Sequence, residues 1–201
     1  MSEVSGSTAT YEGWQRYVEY DRGQMPDRLT RAQLQKLTDA ARSAYNASRT
    51  NWHANILLRT PQVDAVHEHL GDLVESNAQG LGFVRPAAAI DSPPSLGKST
   101  TMDTFGKAFY LEHMRQFGPY VDDDQDTLRI PVCKITLPGE ITIKALHLQI
   151  DRFYAHPTAT TADVRGRLPS RDLAASAAES VRRHATRLML IDDIHFLNPR
   201  T

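Results

Sequence analysis

Residues 92–100, which read Ser-Pro-Pro-Ser-Leu-Gly-Lys-Ser-Thr, constrain the fold of this chain more than any other segment. The short apolar residues 87–90 before them suit a buried strand. After them Met102, Phe105 and Phe109 recur at helical spacing, so a strand is expected to lead through a glycine turn into a helix. A helix that begins there directs its free N–H groups and the positive end of its dipole at the turn. The segment is therefore expected to bind an anion, in particular a polyphosphate.

The same residues follow the Walker A pattern of phosphate-binding loops, with one departure. Gly97 would let the backbone approach the phosphates, Lys98 would reach the β and γ oxygens, and the Ser99 hydroxyl would join the Mg²⁺ shell. The first position, usually glycine, is Ser92, which requires a backbone φ that serine tolerates. The residues expected to contact the nucleotide are Ser92, Pro93, Pro94, Ser95, Leu96, Gly97, Lys98, Ser99 and Thr100.

A second motif lies near the other end of the sequence. Residues 188–191, Leu-Met-Leu-Ile, form an apolar run of strand length that is followed by Asp192 and Asp193. This has the form of a Walker B motif, in which the first carboxylate holds the Mg²⁺ shell and the second polarises the attacking water. We therefore predict Asp192 as a metal-site residue, and Lys98 and Asp193 as catalytic residues. The alternative is a pair of helix-capping aspartates after a core strand.

Charge and cysteine content exclude several classes of function. The formal net charge of −1 over 201 residues does not describe a strongly basic nucleic-acid binder, so any DNA contact must come from local patches or from many copies together. The single cysteine, Cys133, lies in an apolar stretch and is expected to be a buried core residue. No apolar run approaches the roughly 18 residues of a membrane span, and the polar start is no signal peptide, so the chain is expected to be cytoplasmic with no membrane partner.

The rest of the sequence predicts two domains. Residues 1–50 are expected to form a small helical segment, with the first ten or so disordered. It contains an aromatic-faced helix over 11–18, which is expected to pack on a core, with a partner-binding surface as the alternative. A helix over about 31–48 follows, begun by a capping box at Thr30. Residues 51–201 are expected to form an α/β domain. It contains a helix begun by Thr60 and Pro61, a strand over 128–137, a helix over about 143–153 and a last helix capped by Ser170.

This alternation of strands and helices predicts a three-layer α/β fold with a parallel sheet and right-handed crossovers. In such sheets the ligand lies at the carboxyl ends of the strands, where both motifs fall. Fold and site predictions therefore agree.

Residues from about 55 onward resemble the AAA+ ATPases of transposition, the TniB and TnsC type. The resemblance is carried by residues 58–63 (Leu-Arg-Thr-Pro-Gln-Val), by the loop 92–100, by the strand 130–135 and by residues 190–195 (Leu-Ile-Asp-Asp-Ile-His). The chain departs from the family at Ser92 and Ser95, where glycine is preferred, and at Asp193, where Glu is usual. These departures affect the expected rate of hydrolysis more than binding.

The resemblance implies a P-loop NTPase that binds ATP and Mg²⁺, assembles on double-stranded DNA as a ring or filament, and communicates with a transposase. In such relatives the start of the helix after the second strand faces DNA, which corresponds here to Thr142 and Lys144, with Arg165 and Arg167 as further candidates. A solvated helix start and loop is the alternative for these four residues.

The sequence ends eight residues after Asp193, before the sensor strand, arginine finger and lid of an AAA+ module. In the family's strand order, the fourth strand lies between the first and the third. We therefore expect a truncated AAA+-like domain with a gap in its sheet and weak or no turnover.

Two other functions are compatible with the motifs. One is a helicase loader of the IstB or DnaC kind, which is also an AAA+ ATPase. The other is a non-catalytic module that binds a protein partner through its helical N-terminal segment and holds nucleotide, if at all, as a structural ligand.

Overall fold

The computed structural model describes residues 8–21, 24–54, 56–80, 85–122, 125–155 and 169–198. The helices are α1 (Tyr11–Glu19), α2 (Arg31–Lys36), α3 (Asp39–Ala54), α4 (Pro61–Gln79), α5 (Lys98–Phe117), α6 (Ile143–Phe153) and α7 (Ser170–Arg183). The strands are β1 (Val132–Thr136), β2 (Ile141–Thr142), β3 (Leu188–Asp192) and β4 (Leu197–Asn198), with a 3₁₀ helix at Ile194–Phe196.

The two longer strands form a parallel pair. Val132 of β1 lies opposite Leu188 of β3, and the register continues to Thr136 opposite Asp192. The short strands β2 and β4 form a second parallel pair. Within the described residues, β1 and β3 thus form a two-stranded parallel ribbon in place of the larger parallel sheet that the sequence predicted.

Helices cover both faces of the β1–β3 pair. The Lys134 side chain of β1 donates a hydrogen bond to Asp103 of α5. The neighbouring Cys133 lies beside Tyr154, which follows α6. Since successive strand residues point to opposite faces, α5 and the end of α6 lie on opposite sides of the ribbon. Cys133 is fully buried, as predicted, and burial raises the pKa of its thiol to about 12.

The predicted aromatic-faced helix is α1, and its face packs on the core. Trp14 and Val18 are buried, and Tyr11 meets the ring of Phe153 edge-on at 6.4 Å. The Trp14 indole lies beside Gly106 of α5. The helix therefore belongs to the core that carries the candidate site.

The predicted strand over residues 87–90 does not form, and this prediction was wrong. Residues 85–93 are irregular, and Ala87, Ala88 and Ala89 are exposed. The sequence has the composition of a buried strand, but no strand among the described residues pairs with it. A strand without a partner leaves its backbone groups unpaired, so composition alone cannot maintain it.

Three other boundaries differ from the predictions. The predicted helix over 31–48 is divided into α2 and α3, because Leu37 is extended and the Thr38 hydroxyl accepts a hydrogen bond from Ala41 N, which begins a new helix. Ser170 is the first residue of α7 and Pro169 takes the N-cap position, without a side-chain cap. The regular strand is Val132–Thr136, shorter than the predicted 128–137.

Two helix starts are as predicted. The capping box lies at Thr30, and α4 begins at Pro61.

The contacts divide the chain into two compact units. Tyr20–Asp64 form one unit, with α2 and α3, and the remaining described residues, including α1, form the other. These limits differ from the boundary at residue 50 that the sequence suggested. Of the ten or so residues predicted to be disordered, 1–7 lie outside the described ranges, whereas 8–10 form a turn and a bend before α1. No described helix combines the length and the apolar character needed to cross a membrane.

Candidate functional site

The loop before α5 has the backbone of an anion-binding turn. Gly97 is left-handed, with φ 80° and ψ 20°, and it provides no side-chain cap for the helix. The first intrahelical bond runs from Thr101 N to Gly97 O, at 2.8 Å. In helical geometry the N–H groups before that bond have no intrahelical acceptor, so Lys98, Ser99 and Thr100 offer three donors to an anion.

The Lys98 side chain folds over this loop. Its Nζ donates to the carbonyl oxygens of Ser92 and Pro93, at 2.5 and 3.2 Å. These contacts hold the ammonium group between the two ends of the loop. A positive charge therefore lies within the loop that leads to the free N–H groups, and both features favour a polyphosphate.

The left-handed serine of the loop is Ser95, not Ser92. Ser95 has φ 64°, whereas Ser92 is absent from the residues with positive φ. Ser92 therefore fits the first loop position without strain, and the unusual conformation falls at the second departure from the AAA+ pattern. The side chains of Pro93, Pro94, Ser95, Leu96, Ser99 and Thr100 are exposed.

The carboxylates of the predicted Walker B motif lie at the C-terminal end of β3. Asp192 is the last residue of the strand and is partly buried, and its Oδ1 accepts a hydrogen bond from Asp193 N at 3.1 Å. Asp193 is exposed and left-handed, with φ 58°, a conformation that aspartate tolerates better than most residues. The chain turns at Asp193 into the short 3₁₀ helix.

A close approach of α5 to β3 brings the two motifs to the same end of the ribbon. A Cβ atom on Gly106 would lie 2.5 Å from Leu190 Cδ1, so a larger residue at that position would require the Leu190 side chain or the helix to shift. Ser99, Asp103 and Gly106 are spaced i, i+4, i+7 and share one face of α5. Asp192 shares a strand face with Leu190, since side chains alternate along a strand.

The direction of the helix follows from Asp103. Asp103 lies three residues before Gly106 in α5, and Asp192 lies two residues after Leu190 in β3. The negative charge of Asp192 raises the pKa of Asp103, so the two side chains are within electrostatic range. The N-terminus of α5 and the carboxyl end of β3 therefore lie at the same end. Ser99 occupies the next turn of the helix toward that end.

A buried ion pair lies between the two motifs. Lys134 of β1 is 4% exposed, and its Nζ donates to Asp103 Oδ2 at 2.6 Å. Burial raises the pKa of Asp103, the hydrogen bond and charge of Lys134 oppose that rise, and the charge of Asp192 adds to it. Asp103 Oδ1 is buried and has no hydrogen-bond partner among the described residues.

The donor set suits a hydrated magnesium ion. Ser99 supplies a hydroxyl and Asp192 a carboxylate, and both oxygen types are hard ligands. No group of three or more His, Cys, Asp or Glu side chains in the described ranges could hold a metal by protein ligands alone. Such a set fits Mg²⁺, which keeps several waters and binds one or two carboxylates together with substrate phosphates.

The residues predicted to face DNA are only partly described. Thr142 caps α6, with its hydroxyl accepting from Ala145 N at 3.1 Å, and Lys144 lies in the first turn, partly buried. Arg165 and Arg167 lie outside the described residues. The Thr142 hydroxyl is thus engaged in capping, while Lys144 provides a cation at a helix N-terminus.

An open pocket of about 470 Å³ is lined by residues that follow Asp192 and Asp193, and it is distinct from the loop. It is lined by Glu140, His195, Phe196, Leu197 and Asn198. Its lining contains an acidic residue and no Lys or Arg side chain, which does not suit a phosphate group. The pocket is therefore not part of the candidate site.

Asp103 and Lys134 are the site residues that sequence reasoning missed. The helical spacing of Asp103 from Ser99 could have placed it on the same face. Lys134, by contrast, has no signal in the sequence, since only the packing of α5 on β1 brings it to Asp103.

None of three comparisons, with models of protein families, with curated proteins and with solved structures, found a match to this chain. The relation to the AAA+ ATPases of transposition therefore stays a prediction carried by the motifs.

Proposed function

We propose that this chain is an ATP-binding AAA+ ATPase that regulates DNA transposition. The observation that carries the proposal is the close approach of α5 to β3 at Gly106 and Leu190. It brings the start of α5, with Lys98 and Ser99, to the end of the ribbon where Asp192 lies. An anion-binding helix start next to a strand-end carboxylate is the arrangement that a Mg²⁺-bound triphosphate requires.

Each site residue has a defined part in this proposal. The N–H groups at the start of α5 and the Lys98 ammonium would hold the phosphates, and Ser99 and Asp192 would hold the hydrated Mg²⁺. The cation would neutralise charge on the phosphate oxygens. Asp193 would orient the attacking water, and its short exposed side chain predicts slow turnover.

The remaining parts of the proposal rest on the resemblance. The chain would assemble on double-stranded DNA as a ring or filament and communicate with a transposase. It would therefore act in the cytoplasm. Lys144 is the described residue proposed to approach the DNA backbone. Because the net charge is −1, binding by one copy would be weak and assembly would supply the affinity.

The first test is Mg²⁺-dependent binding of a fluorescent ATP analogue to the 201-residue chain. Lys98→Ala is expected to abolish saturable binding, because it removes the cation from the loop. Lys36→Ala is the matched control, since Lys36 is exposed at the end of α2 and outside the site. Equal binding by both variants, or no binding by a folded wild-type chain, would refute the nucleotide site.

DNA-dependent assembly is the second test. In light scattering with ATP and duplex DNA, the wild-type chain is expected to form large assemblies, and Lys144→Ala to form fewer. The loss should be greater at lower salt, since removing a phosphate contact makes the salt dependence shallower and the two chains converge as salt rises. Assembly of the same extent without DNA would favour the protein-interaction alternative.

A further inference from the structure

The buried pair between Lys134 and Asp103 is expensive for a fold to maintain. Both charges are removed from water, with side-chain exposures of 5% and 18%. Replacing such a pair with apolar residues of similar volume is often neutral or stabilising. Stability alone therefore does not explain why this pair is present.

One carboxylate oxygen of Asp103 has no hydrogen-bond partner among the described residues. Oδ2 is occupied by Lys134, while the buried Oδ1 has no partner. A buried acceptor without a donor is costly, and native structures rarely keep one without a role. A donor from outside the described residues, such as a water molecule, would satisfy it.

The position of Asp103 indicates where that donor belongs. Asp103 lies one helical turn after Ser99 on the same face of α5, and it senses the charge of Asp192. Its carboxylate is thus within electrostatic range of Asp192 and one helical turn from Ser99, the two residues that are proposed to hold magnesium. Groups just outside a metal's ligands orient them and tune its affinity.

We propose that Asp103 is a positioning residue of the Mg²⁺–nucleotide site, held by Lys134, that adds a second carboxylate beside Asp192 for the hydrated cation. The inference rests on the proposed nucleotide site and goes beyond it, because neither residue belongs to the Walker motifs. Lys134 fixes one oxygen of Asp103 and leaves the other to accept a hydrogen bond from a water around the cation.

The test uses the full chain and a double variant, Lys134→Met with Asp103→Leu. Both charges are removed together, so no unpaired buried charge remains. The thermal unfolding midpoint and the affinity for a fluorescent ATP analogue in EDTA are expected to match the wild type. The Mg²⁺ concentration for half-maximal enhancement of binding is expected to rise roughly tenfold or more.

A second double variant, Lys134→Met with Asp103→Asn, keeps an acceptor oxygen in nearly the same volume. It is expected to recover part of the Mg²⁺ response, which a purely structural pair would not predict. This variant also provides the test if the leucine variant does not fold.

The outcomes separate this inference from the proposed function. A folded wild-type chain that never binds the nucleotide would overturn both. A double variant with the wild-type Mg²⁺ response would overturn only the role of Asp103. Loss of nucleotide binding in EDTA together with a lower unfolding midpoint would also overturn it, since the pair would then be structural.

Discussion

His113, in the second half of α5, is a partly buried base with a buried Nε2, and its protonation should weaken the fold. Its ring lies between Phe109 and Phe117, at 5.6 and 4.5 Å between centroids, and its buried Nε2 has no partner among the described residues. Burial lowers its pKa, and the charges of Arg129 and Arg187 lower it further. The unfolded chain therefore binds this proton at a higher pH than the native chain does.

The sign of the pH effect follows from this difference. The stabilising contribution is complete above the unfolded pKa of about 6.5, and it is lost as the pH falls through the lower native pKa. We expect His113→Phe to flatten the decrease in the free energy of unfolding below about pH 6.5, measured by urea unfolding. His69→Gln is the control because that side chain is exposed on α4, and an identical change in both variants would contradict the prediction.

At this scale the sequence identified the residue types of the site but not their surroundings. Gly97, Lys98, Ser99 and Asp192 follow from spacing alone, because the motif fixes their order along the chain. The pairing of Lys134 with Asp103 depends on how α5 lies on β1, which no local pattern encodes. The φ that Ser92 was expected to need is one that serine tolerates, whereas the left-handed φ of Ser95 was not predicted, since loop φ angles depend on the whole turn.

The approach of α5 to β3 is the main packing feature at the scale of elements. A Cβ atom on Gly106 would lie 2.5 Å from Leu190 Cδ1 and 3.1 Å from Trp14 Cη2, and both of these side chains are buried. We expect Gly106→Val to lower the free energy of unfolding by about 1–3 kcal/mol through overpacking. It should also weaken nucleotide binding, because α5 moves away from the end of β3.

Gly71→Val is the matched control for that prediction. Gly71 lies within α4, where an added Cβ meets nothing within 4 Å. Only the β-branched helix cost of a few tenths of a kcal/mol would apply there, offset by removal of glycine. Urea unfolding and ATP-analogue binding that respond equally to both substitutions would show that the close approach has no special role.

The elements also show where patterns succeed and where they fail. Helices α1, α4, α5 and α6 satisfy their hydrogen bonds internally, so periodicity and caps predicted them well. Residues 87–90 have an equally clear strand composition and remain irregular, because a strand requires a neighbour that a pattern within the segment cannot supply. The division into α2 and α3 depends on one threonine side chain competing for the backbone.

At the scale of the whole molecule, the division of the chain differs from the one that sequence order suggests. Helix α1 belongs to the larger unit because its apolar side chains are buried in the core of that unit. Helices α2 and α3 have no buried residues and belong to the smaller unit. The sequence showed that α1 has an aromatic face but could not show which surface would cover it. That choice depends on Gly106, whose missing side chain leaves space for an indole.

The two tryptophans test this division. Trp14 is fully buried in the larger unit, whereas Trp52 is only partly buried in α3 of the smaller unit. Trp14→Ala is expected to lower the stability of the larger unit by about 3–5 kcal/mol through the cavity it leaves. Cys133 reports on that unit, because its thiol is fully buried and its pKa is raised to about 12, so it reacts only when the core opens.

Labelling of Cys133 by a thiol reagent should therefore separate the two substitutions. Where opening is fast relative to labelling, the rate follows the population of the open state. A loss of about 3 kcal/mol then corresponds to roughly a hundredfold faster labelling for Trp14→Ala. We expect Trp52→Ala to leave the rate within a few-fold of the wild type. Equal acceleration by the two variants would contradict the placement of α1 in the core that supports the candidate site.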